Sequence, residues 1–387
     1  MSAIKSPTLA ETWSGKWQKH AQKDLYPFNF VPYADAERIM TKVIPLFDEQ
    51  GDHDSYTREF AAAAAPYQKL AEDAEAKGNL EEARANYLKS YGLYRSARFP
   101  CMNTDGKREA YRKSQVCVMK AWSFVDSPPE RIEMPFKGRP GEGDKVVAYL
   151  RMPKVGKKPM PVIVVWAGID TFKEDNLHRT LMFFNEGIAT LLIDMPGTGD
   201  SPIKGSEDAE RQWDAIFDWI DTRPDLDSTR VGGWGGSFGG YWATKVAHTH
   251  KDRFKGVISQ GGGAHLVFSA PEVERAQKNG IPWGQSETRG NAFGCPTHDG
   301  WLAYAPRLSL LDQGILDKPS TSLLCVNGVK DPITPIADYY LILEHGSPKE
   351  ARFVANGAHM GRPMDGSPDP TDGIILDWMT KKLGVRG

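Results

Sequence analysis

The sequence predicts an α/β fold, a mostly parallel sheet with helices on both faces, preceded by an all-helical region. Three observations carry this. Residues 1–125 place apolar side chains three and four apart with little β-branched content, the pattern of helices. From Arg131 onward, short β-type runs alternate with amphipathic helical ones, and strand followed by helix, repeated, means parallel strands covered on both sides. The chain has 387 residues, more than the roughly 250–300 of a single core, so a second domain is expected.

Taken in order, helices are expected over Ala34 to Glu49, Thr57 to Lys77 and Leu80 to Arg98. Lys77-Gly78-Asn79 breaks the last two apart, and the residues after it read like one unit of a tetratricopeptide-type hairpin. Nothing repeats at a period of about 34 residues, so a plain antiparallel helix pair is expected. At Ser127-Pro128-Pro129 prolines end the helical pattern. Strands follow at Arg131 to Phe136, Lys145 to Met152, Pro161 to Trp166, Ala189 to Asp194, Arg230 to Trp234, Gly256 to Gln260, Ser322 to Asn327 and Ala351 to Val354. The first two are close enough to form an antiparallel hairpin at one edge. Helices are expected between them, at Asp208 to Asp221, Tyr241 to His248, Pro335 to His345 and Asp372 to Lys382. The domains expected are 1–125, helical, and 126–387, bearing the sheet. Ligands of such sheets sit at the carboxyl ends of the strands, so chemistry is sought just after each one.

Composition narrows the partner. Forty-eight basic residues against 50 acidic give a net charge of −2, with no Lys/Arg run longer than a pair, which argues against nucleic acid or an anionic membrane and for a small molecule. The apolar run Pro161 to Ala167 is far short of the roughly 20 residues that span a bilayer. Lys5, Glu11 and Lys16 have no apolar block between them, so no secretory signal is read and a cytoplasmic protein is expected. Cys101, Cys117, Cys295 and Cys325 are unevenly spaced and are read as free thiols. No His and carboxylate pair has zinc-ligand spacing, and neither a metal nor another cofactor is called for.

Gly235-Gly236-Ser237-Phe238-Gly239-Gly240 follows a strand and precedes a helix. A serine on so tight a turn needs small neighbours two residues either side, and its Oγ then projects free of the sheet. The following helix directs its N-terminal amides at the site, making the Phe238 N–H one oxyanion donor. Serine needs a base, and the base needs a carboxylate to orient it. Asp331 lies in the loop after Leu323-Leu324-Cys325-Val326-Asn327, and His359 in the loop after Arg352-Phe353-Val354. Ser, Asp, His on successive strand-exit loops is the order of an α/β-hydrolase. The second oxyanion donor is expected after the strand Val162 to Val165, at the Ile169 N–H with Gly168 as fallback. Trp166 and Asp170 flank that turn, and His265 follows a strand at the same edge; all three are expected to bind substrate. His248 and His250, two apart near a helix end, are read as C-terminal helix charges.

The stretch Pro161 through His359 resembles the α/β-hydrolases, and in detail the group containing 2,6-dihydroxypseudooxynicotine hydrolase and the fungal heptaketide hydrolyases of pigment synthesis. The segments carrying the resemblance include Leu25-Tyr26-Pro27-Phe28, Ser96-Ala97-Arg98-Phe99-Pro100, Ala247 to Arg253 and Glu344-His345-Gly346-Ser347-Pro348-Lys349-Glu350. It covers nearly the whole chain, but Ala264 to Arg307 matches poorly. The resemblance implies a triad of Ser237, Asp331 and His359, a helical lid over residues 1–125, substrate contacts from Tyr26 and Arg98, and a homodimer.

Attack by Ser237 on a carbonyl is the chemistry expected. Carbon–carbon cleavage requires that the departing carbanion be delocalised, which a 1,3-dicarbonyl or acyl-phenol substrate provides. The aromatic residues Trp13, Trp17, Tyr26, Phe28, Tyr91, Tyr94 and Phe99 suit a flat ring, or form the helical region's own core. Three functions are therefore in view: a hydrolase of activated ketone or polyketide carbon–carbon bonds, an ester or thioester hydrolase or acyltransferase with the same triad, and a non-catalytic binding protein. A route in which His359 activates water and Ser237 only binds stands beside the acyl-enzyme route.

Overall fold

Eight aliphatic and β-branched runs pair into one sheet in the computed structural model, which describes residues 5–364 and 367–386. They are β1 (Glu130–Pro135), β2 (Lys145–Arg151), β3 (Met160–Trp166), β4 (Ala189–Ile193), β5 (Leu226–Gly236), β6 (Gly256–Gln260), β7 (Leu323–Gly328) and β8 (Glu350–Val354). Their order is β1-β2-β4-β3-β5-β6-β7-β8. β1 and β2 form the antiparallel edge hairpin, β2 meets β4 antiparallel, and every later pairing is parallel. β3, β4, β6 and β7 are buried at every residue, as strands covered on both faces must be.

Each expected strand is present. The largest difference is β5, which starts at Leu226 rather than Arg230; Asp227, Ser228 and Thr229 hide its start from a hydrophobicity reading, and its pairing with β3 shifts register between Met160 and Val162. Ala264 to Arg307 carries three helices that had no sequence counterpart, Ala270–Asn279, Gln285–Phe293 and His298–Tyr304.

The chain divides into two compact units, Met1–Pro129 with Gly280–Gln285, and Glu130–Asn279 with Ser286–Gly387. The second holds the sheet. The first holds the helices Tyr33–Asp48, Asp54–Ala76, Leu80–Ala97 and Asp105–Ser123. The middle pair is a hairpin turned at Gly78, whose φ of +78° a side chain would resist; Ser90 donates to the Ala64 carbonyl across it. Trp13, Trp17, Phe28, Tyr91, Tyr94 and Phe99 are all buried. The hexapeptide Gly280–Gln285, which the sequence reading left with the sheet, supplies Trp283 to this unit, with ring centroids 4.8 Å from Tyr56, 5.0 Å from Phe47 and 5.4 Å from Phe99. Among the described residues no helix is long and apolar enough to cross a membrane.

Candidate active site

The turn after β5 explains its glycines. A Cβ on Gly235 would lie 2.1 Å from the Gly239 carbonyl oxygen, and one on Gly239 would lie 2.3 Å from that of Ala167. Only glycine fits either place. Ser237 between them takes φ +54°, a left-handed conformation that costs a non-glycine residue about 1–3 kcal/mol and is held by its surroundings. Here the Ser237 N–H donates to the Gln260 carbonyl at the end of β6 (2.7 Å), and the helix Gly239–Thr249 begins directly after, capped at Phe238.

Three strand exits then converge. Ser237 Oγ lies 2.8 Å from His359 Nε2, and His359 Nδ1 lies 2.7 Å from Asp331 Oδ2. Asp331 Oδ1 accepts from the Ile333 and Thr334 N–H groups at 2.7 and 3.1 Å, and Asn327 Nδ2 donates to Oδ2 at 2.9 Å. Burial pushes the Asp331 carboxyl up, but the His359 ring, the Ile333 N–H and Asn327 outweigh it and hold the group below the ordinary carboxylate value. The residue is thus a fixed anion against Nδ1, which leaves Nε2 facing Ser237 as the basic nitrogen.

Two residues that sequence reasoning passed over set this geometry. Asn327 ties Asp331 to the histidine loop, since its Oδ1 accepts from the Met360 N–H at 3.0 Å. Gln260 Nε2 donates to the Met360 carbonyl at 2.9 Å, so one residue holds both the serine turn and the histidine loop. Both are polar residues at the ends of fully buried strands, and that position is the signal that could have flagged them.

Gly168 lies against Ser237; a Cβ there would be 2.8 Å from Ser237 Cβ and 3.3 Å from the Phe238 nitrogen. Among the described residues nothing accepts from the Phe238 or Ile169 N–H, leaving both donors available. Beside Ser237 and His359 opens a small pocket, lined also by Phe238, Tyr241, Val267, Phe268, Arg289 and Thr334. Among the described residues no three His, Cys, Asp or Glu side chains cluster closely enough to hold a metal ion.

The family model described as "Esterase FrsA-like" matches residues 51–359, well over half of the chain. The chain belongs to the FrsA-like esterase family. It is an enzyme of the α/β-hydrolase superfamily. It is 24% identical over 287 residues to Esterase FrsA of Photorhabdus laumondii, covering 70% of this chain and 67% of that protein. It is 28% identical over 270 residues to Esterase FrsA of Salmonella paratyphi B, covering 67% of this chain and 62% of that protein's length. Among solved structures it is similar to 2,6-dihydroxy-pseudo-oxynicotine hydrolase (TM-score 0.74, 21% identity, 95% of this chain and 96% of that one). It is also similar to AbyA5 (TM-score 0.69, 21% identity, 91% and 90%). At those identities the likeness is one of fold.

The expected substrate contacts fare differently from the triad residues. Trp166 is a core residue: it is buried, its Nε1–H donates to the Gly239 carbonyl at 2.8 Å, and its ring packs edge-on against Trp213. It supports the turn and is not placed to touch substrate. His265 is turned away too, its Nδ1 2.7 Å from Ser309 Oγ, and neither it nor Asp170 lines the pocket. Tyr26 and Arg98 belong to the helical unit, where the Arg95 guanidinium stacks 4.2 Å from the Tyr26 ring and Arg98 caps the helix Leu80–Ala97, buried. His248 is not an exposed helix-end charge. It is buried with Nδ1 2.9 Å from the Lys318 carbonyl, and burial pushes its pKa down to about 4, so the ring is neutral. His250 likewise stacks on Phe217, and burial lowers its pKa.

Proposed function

We propose that this chain is a serine-triad hydrolase that attacks a carbonyl flanked by an electron-withdrawing carbonyl or hydroxylated ring, and cleaves the carbon–carbon bond of an activated ketone or polyketide-type substrate. The observation that carries the reading is the pair of short contacts, Ser237 Oγ to His359 Nε2 at 2.8 Å and His359 Nδ1 to Asp331 Oδ2 at 2.7 Å. Ser237 gives its proton to Nε2 as its Oγ bonds to the carbonyl carbon, and the new oxyanion is held by the Phe238 and Ile169 amides. Collapse of the intermediate breaks the bond to the leaving group, which departs with the electron pair and takes the proton from Nε2. Water then adds to the acyl-enzyme under His359 base catalysis and releases the acid. Delocalisation into a neighbouring carbonyl makes the carbon leaving group an enolate, far less basic than a simple carbanion and close enough to an alkoxide that the same triad can serve both bond types.

Cleavage of an ester or thioester is the second reading, supported by the esterase description of the family. The helical unit is assigned the role of lid, the substrate is taken to be a small aromatic or polyketide-like molecule, and the protein is read as a cytoplasmic homodimer, on composition and resemblance. Product masses from a matched 1,3-diketone and ester decide between the two bond types. Turnover of the diketone that is lost in Ser237→Ala supports the carbon–carbon reading; turnover of the ester alone removes it and keeps the hydrolase. Turnover of neither, with no Ser237-dependent labelling by a fluorophosphonate, supports a binding protein instead.

A further inference from the structure

Arg289 stands on the helix Gln285–Phe293. Phe293 one turn on shares its helix face, and both meet the residue after the nucleophile: the Phe293 and Phe238 rings are 5.4 Å apart, and the Arg289 guanidinium lies 5.9 Å from the Phe238 ring centre. The helix is held in place, with the Ser286 N–H donating to Gln277 Oε1 at 2.7 Å and Gln277 Nε2 donating to Glu287 Oε2 at 3.0 Å. Arg289 is only 4% exposed, yet it lines the pocket with Ser237 and His359.

Its charge is not answered. Among the described residues no carboxylate pairs with Arg289, and its buried Nε has no acceptor. The anion acting on it is Asp331, whose oxygens are already engaged by His359, Asn327 and two backbone N–H groups. A second guanidinium, Arg275, acts on it with the same sign, although Arg275 itself is paired with Glu272 at 2.6 Å. Burial lowers the Arg289 pKa to about 10, so it remains a cation at neutral pH. An unpaired buried charge is strongly unfavourable, and a guanidinium matches oxygen anions in a planar fork. Of the other side chains lining the pocket, Phe238, Val267 and Phe268 are apolar, and the Thr334 hydroxyl is already engaged, donating to the Gly261 carbonyl at 2.9 Å.

We infer that Arg289 is the specificity-determining residue of this site and holds a negatively charged oxygen of the substrate, either a carboxylate or the enolate oxygen that develops on the departing half of a 1,3-dicarbonyl. This rests on the hydrolase reading and narrows its substrate to one that carries a carboxylate or releases an enolate.

The test compares kcat/KM for the para-nitrophenyl monoester of glutaric acid, which keeps a free carboxylate, with its neutral methyl ester, in wild type, Arg289→Met and Arg289→Lys. Wild type should favour the anionic ester by about 10- to 100-fold, the scale of a hydrogen bond to a charged group. Arg289→Met should lose that ratio and Arg289→Lys should keep part of it. A neutral 1,3-diketone is the enolate arm, with kcat about 10- to 100-fold lower in Arg289→Met than in wild type while the neutral ester is turned over alike by both. A response in this arm alone assigns the enolate, and one in the ester pair alone the carboxylate. Equal ratios in wild type and Arg289→Met while both esters turn over, with no diketone response, overturn the inference and leave the hydrolase intact. If wild type turns over none of them, the hydrolase reading fails, and calorimetric binding of glutarate to Ser237→Ala and to Ser237→Ala/Arg289→Met still decides the role of Arg289: equal affinities, or no binding to either, overturn it.

Discussion

Lys173 and Arg289 are both buried cations of the sheet-bearing unit, and their surroundings differ. Lys173 is fully buried, with Nζ 2.6 Å from Asp200, 2.8 Å from Asp194 and 3.1 Å from Glu174. Asp194 is itself fixed by the Lys173 and Asp200 backbone N–H groups at 2.8 and 2.9 Å, and burial pushes its carboxyl up against the pull of Lys173. That cluster fastens the loop after β4. Arg289, nearly as buried, has no paired carboxylate. The difference teaches that a charge fully answered within the chain serves the fold, whereas one left unanswered beside Ser237 is the one to assign to a ligand. His248 shows a third solution: its buried Nε2 has no partner, and the ring meets burial by giving up its proton.

The largest expected effect lies beside the unpaired cation, in the triad. Asp331→Asn should lower kcat about 10⁴-fold, because an amide no longer fixes the His359 tautomer, while circular dichroism should show the fold retained. If kcat barely changes, Asp331 is not the orienting group. Next, Lys173→Met should destabilise the protein by about 3–5 kcal/mol in urea denaturation, since it strands two buried carboxylates, Asp194 and Glu174, and the half-buried Asp200. Arg289→Met removes a charge that nothing in the chain answers and should leave the urea midpoint unchanged or higher. Equal losses in both variants would erase the contrast.

A smaller effect is expected from His248. Its pKa is 6.5 ordinarily and about 4 in the folded chain, so between these values the unfolded chain binds more protons. Stability is then fully present above about pH 6.5 and falls toward pH 4, by about 3 kcal/mol at most. Denaturation midpoints of wild type and His248→Gln across that window should converge as the pH drops; parallel curves would show that His248 is not the titrating group. Smallest, Asn327→Ala should cost about 1–3 kcal/mol of stability through the two bonds it loses. It should lower kcat more than it changes KM, since it positions Asp331 and His359 without touching substrate.

What could be read from the sequence follows the same division. The meeting of Ser237, His359 and Asp331 was legible because each directly follows a hydrophobic strand or its short turn, and local pattern alone locates those exits. Trp166 was misread because adjacency to the oxyanion turn does not reveal that its ring faces the core and bonds to Gly239. His248 looked like a helix-end charge because helical spacing does not show that the Lys318 segment covers it. Arg289 was invisible for a stronger reason: the polar helix Gln285–Phe293 has no clear apolar stripe, so neither the helix nor the face shared by Arg289 and Phe293 could be inferred. Trp283 departs from the sheet-bearing unit in the same stretch, and only tertiary contacts assign it to the helices.

The central claim is that Ser237 is an activated nucleophile in this geometry. Intact-protein mass spectrometry after brief exposure of the folded enzyme to a fluorophosphonate tests it most directly. The account predicts one added phosphonyl group, mapped to Ser237 and absent from both Ser237→Ala and His359→Ala. Folded wild type that gains no such mass, or gains it equally in Ser237→Ala, would contradict it.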